Sequence, residues 1–119
     1  MGRPVTHFEI GTRDLGKATQ FYGDLFGWEI EAELTPGYRL IPTADGSVGG
    51  GLLNVPEGVE PYVTVYVGVE NLRATLEKAQ ALGAKVLVEP TPVSGVGAFA
   101  VFTDPDGAMI GILEERQTS

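Results

Sequence analysis

Apolar and polar residues change their spacing several times along the chain, and each change marks an element. Val5 to Ile10 is short and rich in β-formers, which predicts a strand. Gly11-Thr12-Arg13-Asp14 reads as a turn in which Thr12 or Asp14 can cap a helix. From Leu15, apolar residues recur at Ala18, Phe21, Tyr22, Leu25 and Phe26, one face of a helix that Gly27 can end in the left-handed conformation. Trp28-Glu29-Ile30-Glu31-Ala32-Glu33 alternates apolar and acidic, as a half-buried strand does. Thr35-Pro36-Gly37 then turns the chain into Tyr38–Ile41, and Asp45-Gly46 makes a hairpin turn into a glycine-rich strand around Gly49–Asn54.

A linker candidate, Pro56-Glu57-Gly58-Val59-Glu60-Pro61, follows, and after it the order of elements repeats. Tyr62 to Val69 alternates strictly, with Val63, Val65, Val67 and Val69 on one face and Tyr62, Thr64 and Tyr66 on the other. Asn71 can cap a helix carrying Leu72, Leu76, Ala79 and Leu82, stopped by Gly83. Lys85–Val88 reads as a strand, Thr91-Pro92 as a turn, Ala98–Thr103 as a strand, Asp104-Pro105-Asp106-Gly107 as a turn, and Met109–Leu113 as the last strand. Asp14-Leu15 matches Asn71-Leu72 at an offset of 57, and Gly27 matches Gly83 at 56. Thr35-Pro36 matches Thr91-Pro92, also at 56, and Asp45-Gly46 matches Asp106-Gly107 at 61. The expected fold is therefore α+β: two repeated βαβββ units, about 1–57 and 58–119, in one domain. Each unit has one helix for one face of a four-stranded sheet. The uncovered faces then curve around a central cleft.

Composition narrows the function classes. At 119 residues, 43% hydrophobic and 20% charged, the chain is globular in character. It has no cysteine, which excludes disulfides, thiolate nucleophiles and cysteine-based metal sites. The N-terminus lacks the apolar segment of a signal peptide, so a cytoplasmic location is the default. A net charge of −8, spread along the chain, disfavours nucleic acid and anionic membranes as partners and mildly favours cationic ligands. No phosphate loop, dinucleotide fingerprint or nucleophile elbow occurs.

Asp14-Leu15, the run Phe21-Tyr22-Gly23-Asp24-Leu25-Phe26-Gly27-Trp28, and Asp104-Pro105-Asp106-Gly107 together resemble the vicinal oxygen chelate superfamily of glyoxalase I, bleomycin-resistance proteins and extradiol dioxygenases. The resemblance covers essentially the whole chain. It implies the fold more than the reaction, because members isomerise, epimerise, cleave rings, transfer thiols or sequester drugs. It also implies four ligand positions for a divalent ion. The first is a histidine seven residues before the Asp-Leu pair, here His7, with Thr64 as its repeat-mate. The last is a glutamate after the Asp-Pro-Asp-Gly turn, where this chain has Gly111, and its repeat-mate falls at Gly50. One position of the four keeps a donor, so neither a metal centre nor another cofactor is expected.

The candidate site is then a metal-free cleft. His7, the sole histidine, and Glu9 stand on one strand face, where they can transfer a proton, bind a ligand or serve structure alone. Gly50 and Gly111 leave room for a bulky ligand or for another backbone. Tyr62, Thr64 and Tyr66 are expected to line the cleft, with Tyr38, Phe99 and Phe102 as aromatic walls or core. Arg39 can meet a carboxylate or phosphate, or can be an edge-strand solubility residue. Trp28 reads as core, dimer interface or a stacking surface. The leading expectation is a homodimeric protein that binds a small molecule, with drug sequestration as one form of it. The alternative is a lyase or isomerase that uses His7 and Glu9 without a metal.

Overall fold

The computed structural model describes residues 2–33, 35–93 and 97–115, which form seven strands and two helices. They fall into two units, residues 6–64 and residues 1–5 with 65–119. In the first unit β1 (Val5–Thr12), α1 (Leu15–Phe26), β2 (Tyr38–Ile41) and β3 (Gly50–Asn54) follow one another. β3 lies between the other two strands, parallel to β1 and antiparallel to β2. β4 (Tyr62–Gly68), whose residues through Thr64 belong to the first unit, leads into α2 (Leu72–Ala81), β5 (Lys85–Val93), β6 (Gly97–Thr103) and β7 (Met109–Glu115) of the second. The order there is β4-β7-β6-β5, with β4 and β7 parallel and the other neighbours antiparallel. The fold is α+β with βαβββ-like units. Among the described residues no helix is long and apolar enough to cross a membrane.

Each helix starts where a side chain takes up its free N–H groups. Asp14 accepts from Lys17 N–H and Asn71 from Ala74 N–H, both at 3.0 Å. A second acceptor comes from the last strand of each unit: the Asn54 amide oxygen takes Leu15 N–H at 3.0 Å, and the Glu114 carboxylate takes Leu72 N–H at 2.7 Å. Gly27 closes α1 at φ 72°, donating its N–H to Gly23 C=O. Each unit has its own core. Ile10, Leu15, Ala18, Ile41 and Leu52 form one, and Leu72, Leu76, Ala100 and Ile112 the other. Substituting Asp14 or Asn71 by Ala costs about 1 kcal/mol, read in urea unfolding midpoints.

Three sequence expectations need correction. Gly11 and Thr12 belong to β1 rather than to a turn. Trp28–Glu33 is not a strand, although its alternation is real. Trp28 and Ile30 pack on the first core while Glu29 and Glu31 are exposed, and Glu31 N–H donates to Leu40 C=O at 3.0 Å. Thr91-Pro92 does not turn the chain, since both residues pair with β6, opposite Phe99 and Ala98. β5 is the last strand of its unit's sheet, where prolines are tolerated, and its register shifts twice before Thr91.

Four glycines in the strands carry an aromatic ring where a side chain would be. A Cβ on Gly50 would lie 2.4 Å from the Phe8 ring, and one on Gly51 2.0 Å from the Tyr38 hydroxyl. A Cβ on Gly11 would meet the Tyr62 ring at 2.5 Å, and one on Gly111 the Tyr66 ring at 2.4 Å. Overpacking a filled site of this kind costs typically 1–3 kcal/mol. Gly111→Ala is therefore expected to destabilise by about 2 kcal/mol, measured by chemical denaturation, because the Tyr66 ring it displaces is itself only 6% exposed.

Candidate functional site

Strand alternation decides which candidates share a face. On β1, Phe8 and Ile10 join the first core, so His7, Glu9 and Gly11 look the other way. Phe8 pairs in register with Gly50, and Glu9 with Gly51. On β2, Ile41 joins the core, which puts Tyr38 and Leu40 on the His7 side and Arg39 on the core side. The first unit thus gathers His7, Glu9, Tyr38 and Tyr62 around two glycines, Gly11 and Gly51.

The contacts on this face are pairwise and polar. The Tyr38 hydroxyl lies 3.2 Å from His7 Nε2, and the imidazole tautomer decides which of them donates. The Tyr62 hydroxyl donates to Glu9 Oε2 at 2.7 Å. Glu9 is 9% exposed, so a carboxylate is held in the interior beside two phenols. Burial lowers the His7 pKa, which keeps the ring neutral near pH 7. Burial, and then the Glu9 charge, push the Tyr38 phenol up to about 12. Burial also raises Tyr62, followed by its hydrogen bond to Glu9, the Glu9 charge and Tyr38. Both phenols therefore keep their protons throughout the physiological range.

In the second unit Tyr66 is buried across Gly111, and its ring meets Phe99 edge-on with centroids 6.2 Å apart. Thr64 is 5% exposed and shares its strand face with Tyr62.

Several candidates are not where the sequence suggested. Gly50 faces the α1 core beneath Phe8, and it is Gly51 that shares the His7 face, one residue further along. Gly50 and Gly111 do not leave open space, because Phe8 and Tyr66 fill it. Phe102 packs on the α2 core beside Ala98 and is no part of an inner wall. Arg39 lies on the face opposite Tyr38 and donates from Nη1 to Glu31 C=O at 3.2 Å. Trp28, by contrast, is where the core reading put it, half-buried against the first core and tilted against Phe8 at 5.7 Å. Tyr62 lies on the strand face it shares with Thr64, as the alternation predicts. One contributor was missed: Gly51 carried no signal, since three consecutive glycines hide which of them faces inward.

A divalent ion needs three or more converging donors. Among the described residues no group of three or more His, Cys, Asp or Glu side chains is placed to hold one. The Nε2 of His7 faces a phenol instead. These residues do not fit a metal centre.

The face has a titration signature. The unfolded phenol ionises near 10, below the native Tyr38 value of about 12. Tyr38 therefore contributes stability that is complete below pH 10 and lost as the pH rises toward 12. Tyrosinate absorbance should show late-ionising phenols that Tyr38→Phe and Tyr62→Phe each reduce by one. Glu9→Gln should bring both phenols down, because it removes the carboxylate charge.

A sequence profile described as "Glyoxalase/Bleomycin resistance protein/Dioxygenase superfamily" matches residues 5–112. CFP32 of Mycobacterium tuberculosis, whose name assigns it provisionally to the glyoxylases, is 35% identical over 100 residues. The alignment covers 82% of this chain and 38% of CFP32. The anthracycline biosynthesis protein DnrV of Streptomyces peucetius is 27% identical over 122 residues, covering 88% of this chain and 44% of DnrV. The chain thus spans about two fifths of the length of these relatives. Among solved structures, the hypothetical protein BH1468 of Bacillus halodurans superposes with a TM-score of 0.71 at 14% identity. That superposition covers 100% of this chain and 99% of the other, which supports the fold alone. With a profile match over nearly its whole length, the chain belongs to the glyoxalase/bleomycin resistance protein/dioxygenase superfamily.

Proposed function

We propose that the chain binds a small organic molecule, without a metal, at the β1–β2 face formed by His7, Glu9, Tyr38 and Tyr62. The observation that carries this reading is the pairing of each acidic or basic group with a phenol: Tyr62 with Glu9 at 2.7 Å and Tyr38 with His7 at 3.2 Å. The buried Glu9 carboxylate and the net charge of −8 favour a neutral or cationic ligand and repel anions. Thr64 extends the polar surface along β4. Sequestration of a cationic, aromatic drug is one form of this activity, and the likeness to an anthracycline biosynthesis protein supports it.

A second reading follows from the neutral His7. An imidazole held in its base form can take a proton from a carbon next to a carbonyl and return it to the neighbouring atom. That is an isomerisation with no net change in protons. Glu9, through Tyr62, would fix the charge of the face during transfer. The likeness to CFP32 supports this alternative.

A thermal-shift screen separates the two. Cationic aromatic antibiotics, glutathione adducts and small keto acids are added to the purified chain, and binding at a hundred times Kd stabilises by about 2.7 kcal/mol. Cationic aromatics are expected to raise the melting temperature by several degrees, and Tyr38→Phe and Tyr62→Phe to weaken that shift. His7→Gln leaves a sequestering protein's affinity little changed and abolishes a His7-dependent turnover. If no compound of any class shifts the transition, the binding reading is wrong.

A further inference from the structure

Among the described residues only two polar ones are buried, Glu9 and Thr64, and of these Glu9 alone can carry a charge. The chain has 16 acidic residues, but an exposed carboxylate is hydrated and screened by salt. Such a group separates a cation from a neutral molecule only weakly. A carboxylate beneath the surface separates them far better, because water competes less for it and the local dielectric is lower.

The surroundings of Glu9 on this face are aromatic and neutral. Its register partner across the sheet is Gly51, and the Tyr38 hydroxyl occupies the space where a Gly51 side chain would stand. Along β1 in one direction is Gly11, whose missing side chain is replaced by the Tyr62 ring. In the other direction is His7, which burial keeps neutral near pH 7, so it does not repel a cation. Tyr38, Tyr62 and His7 are each partly exposed, and the carboxylate therefore lies just beneath a surface that solvent reaches.

The Tyr62 hydroxyl donates to Glu9 Oε2 at 2.7 Å and so orients the carboxylate. That bond takes one of about four acceptor positions on the two oxygens. A phenol brings a dipole and no charge. A protonated amine brings charge as well, and its N–H donors make the shorter, stronger bonds of an ionised pair. The faces of phenol rings attract the same cation within about 6 Å. An amide or alcohol of equal size gains neither.

We infer that Glu9 is the ammonium-binding residue of this face: it takes the protonated primary or secondary amine of an organic ligand beside Tyr38 and Tyr62, while Tyr62 holds the carboxylate in place. The inference rests on the small-molecule reading and narrows it. The preference for cations moves from the charge of the whole chain to a single buried carboxylate.

Ligand-observed NMR tests it, with 2-phenylethylammonium and its uncharged N-acetyl derivative titrated in the millimolar range at pH 7. The wild type is expected to bind the ammonium about tenfold more tightly than the amide. That ratio should persist in about 0.5 M salt, where surface charge is screened. Glu9→Gln should bring the two probes within about twofold while still binding the amide. Glu29→Gln removes the same charge from an exposed position and should leave the ratio unchanged. Tyr62→Phe should reduce the ratio about threefold, and it reads the site even if Glu9→Gln does not fold. Equal binding of the two probes overturns the inference, as does a ratio that salt or Glu29→Gln abolishes or that Tyr62→Phe leaves untouched. The small-molecule reading survives each of these results. Failure of both probes to bind also overturns the inference, and the small-molecule reading falls with it only if the wider thermal-shift screen finds no compound either.

Discussion

An aromatic ring can enter the space of a Cβ on a neighbouring strand only where that strand carries glycine, and this packing organises both units. Phe8 on Gly50 brings β1 and β3 together over the first core, and Tyr66 on Gly111 joins β4 and β7 on the face away from the α2 core. Tyr38 on Gly51 and Tyr62 on Gly11 use the same device on the face of the first unit opposite Phe8. There each ring ends in a hydroxyl, and the glycine beneath it sets where that hydroxyl falls. The glycines thus place Tyr38 against His7 and Tyr62 against Glu9. Structure and site chemistry depend on the same contacts.

Most of the architecture was legible in the sequence because its signals are local. Caps at Asp14 and Asn71, the stop at Gly27 and the turn at Asp104–Gly107 each involve a few consecutive residues, and all appear in the structure. The repeat offsets carried the order of elements, although the first repeat supplies three strands rather than the four expected of it. Trp28–Glu33 shows the limit of such reading: its alternation correctly reports which residues are buried, but alternation does not report whether a partner strand pairs along its length. Thr91-Pro92 misled for a related reason, because proline is a turn signal only where no sheet edge is available.

The candidate site was legible to the level of which strands and faces bring its residues together, and no further. His7 and Glu9 were identified from spacing, and Tyr38 from its strand. What spacing does not give is parity across a register. In Gly49-Gly50-Gly51 no side chain marks which residue faces inward, and counting from the other repeat landed one residue early. Arg39 and Phe102 sit on strands correctly identified, but on their core faces. Empty volume was inferred where glycines occur, yet the volume a glycine leaves is open only if no neighbouring ring enters it. Here rings enter in every such case.

The central claim is that His7 is engaged by a phenol rather than reserved for a metal. The chain contains one histidine, so the nitrogen-15 spectrum of its imidazole reports this contact without ambiguity. Recorded at pH 7, the spectrum should be that of a neutral ring. It should be unchanged by one equivalent of zinc, nickel or manganese and shifted by Tyr38→Phe. Stoichiometric loss or displacement of the Nε2 resonance on adding the ion, with no response to Tyr38→Phe, would contradict the account.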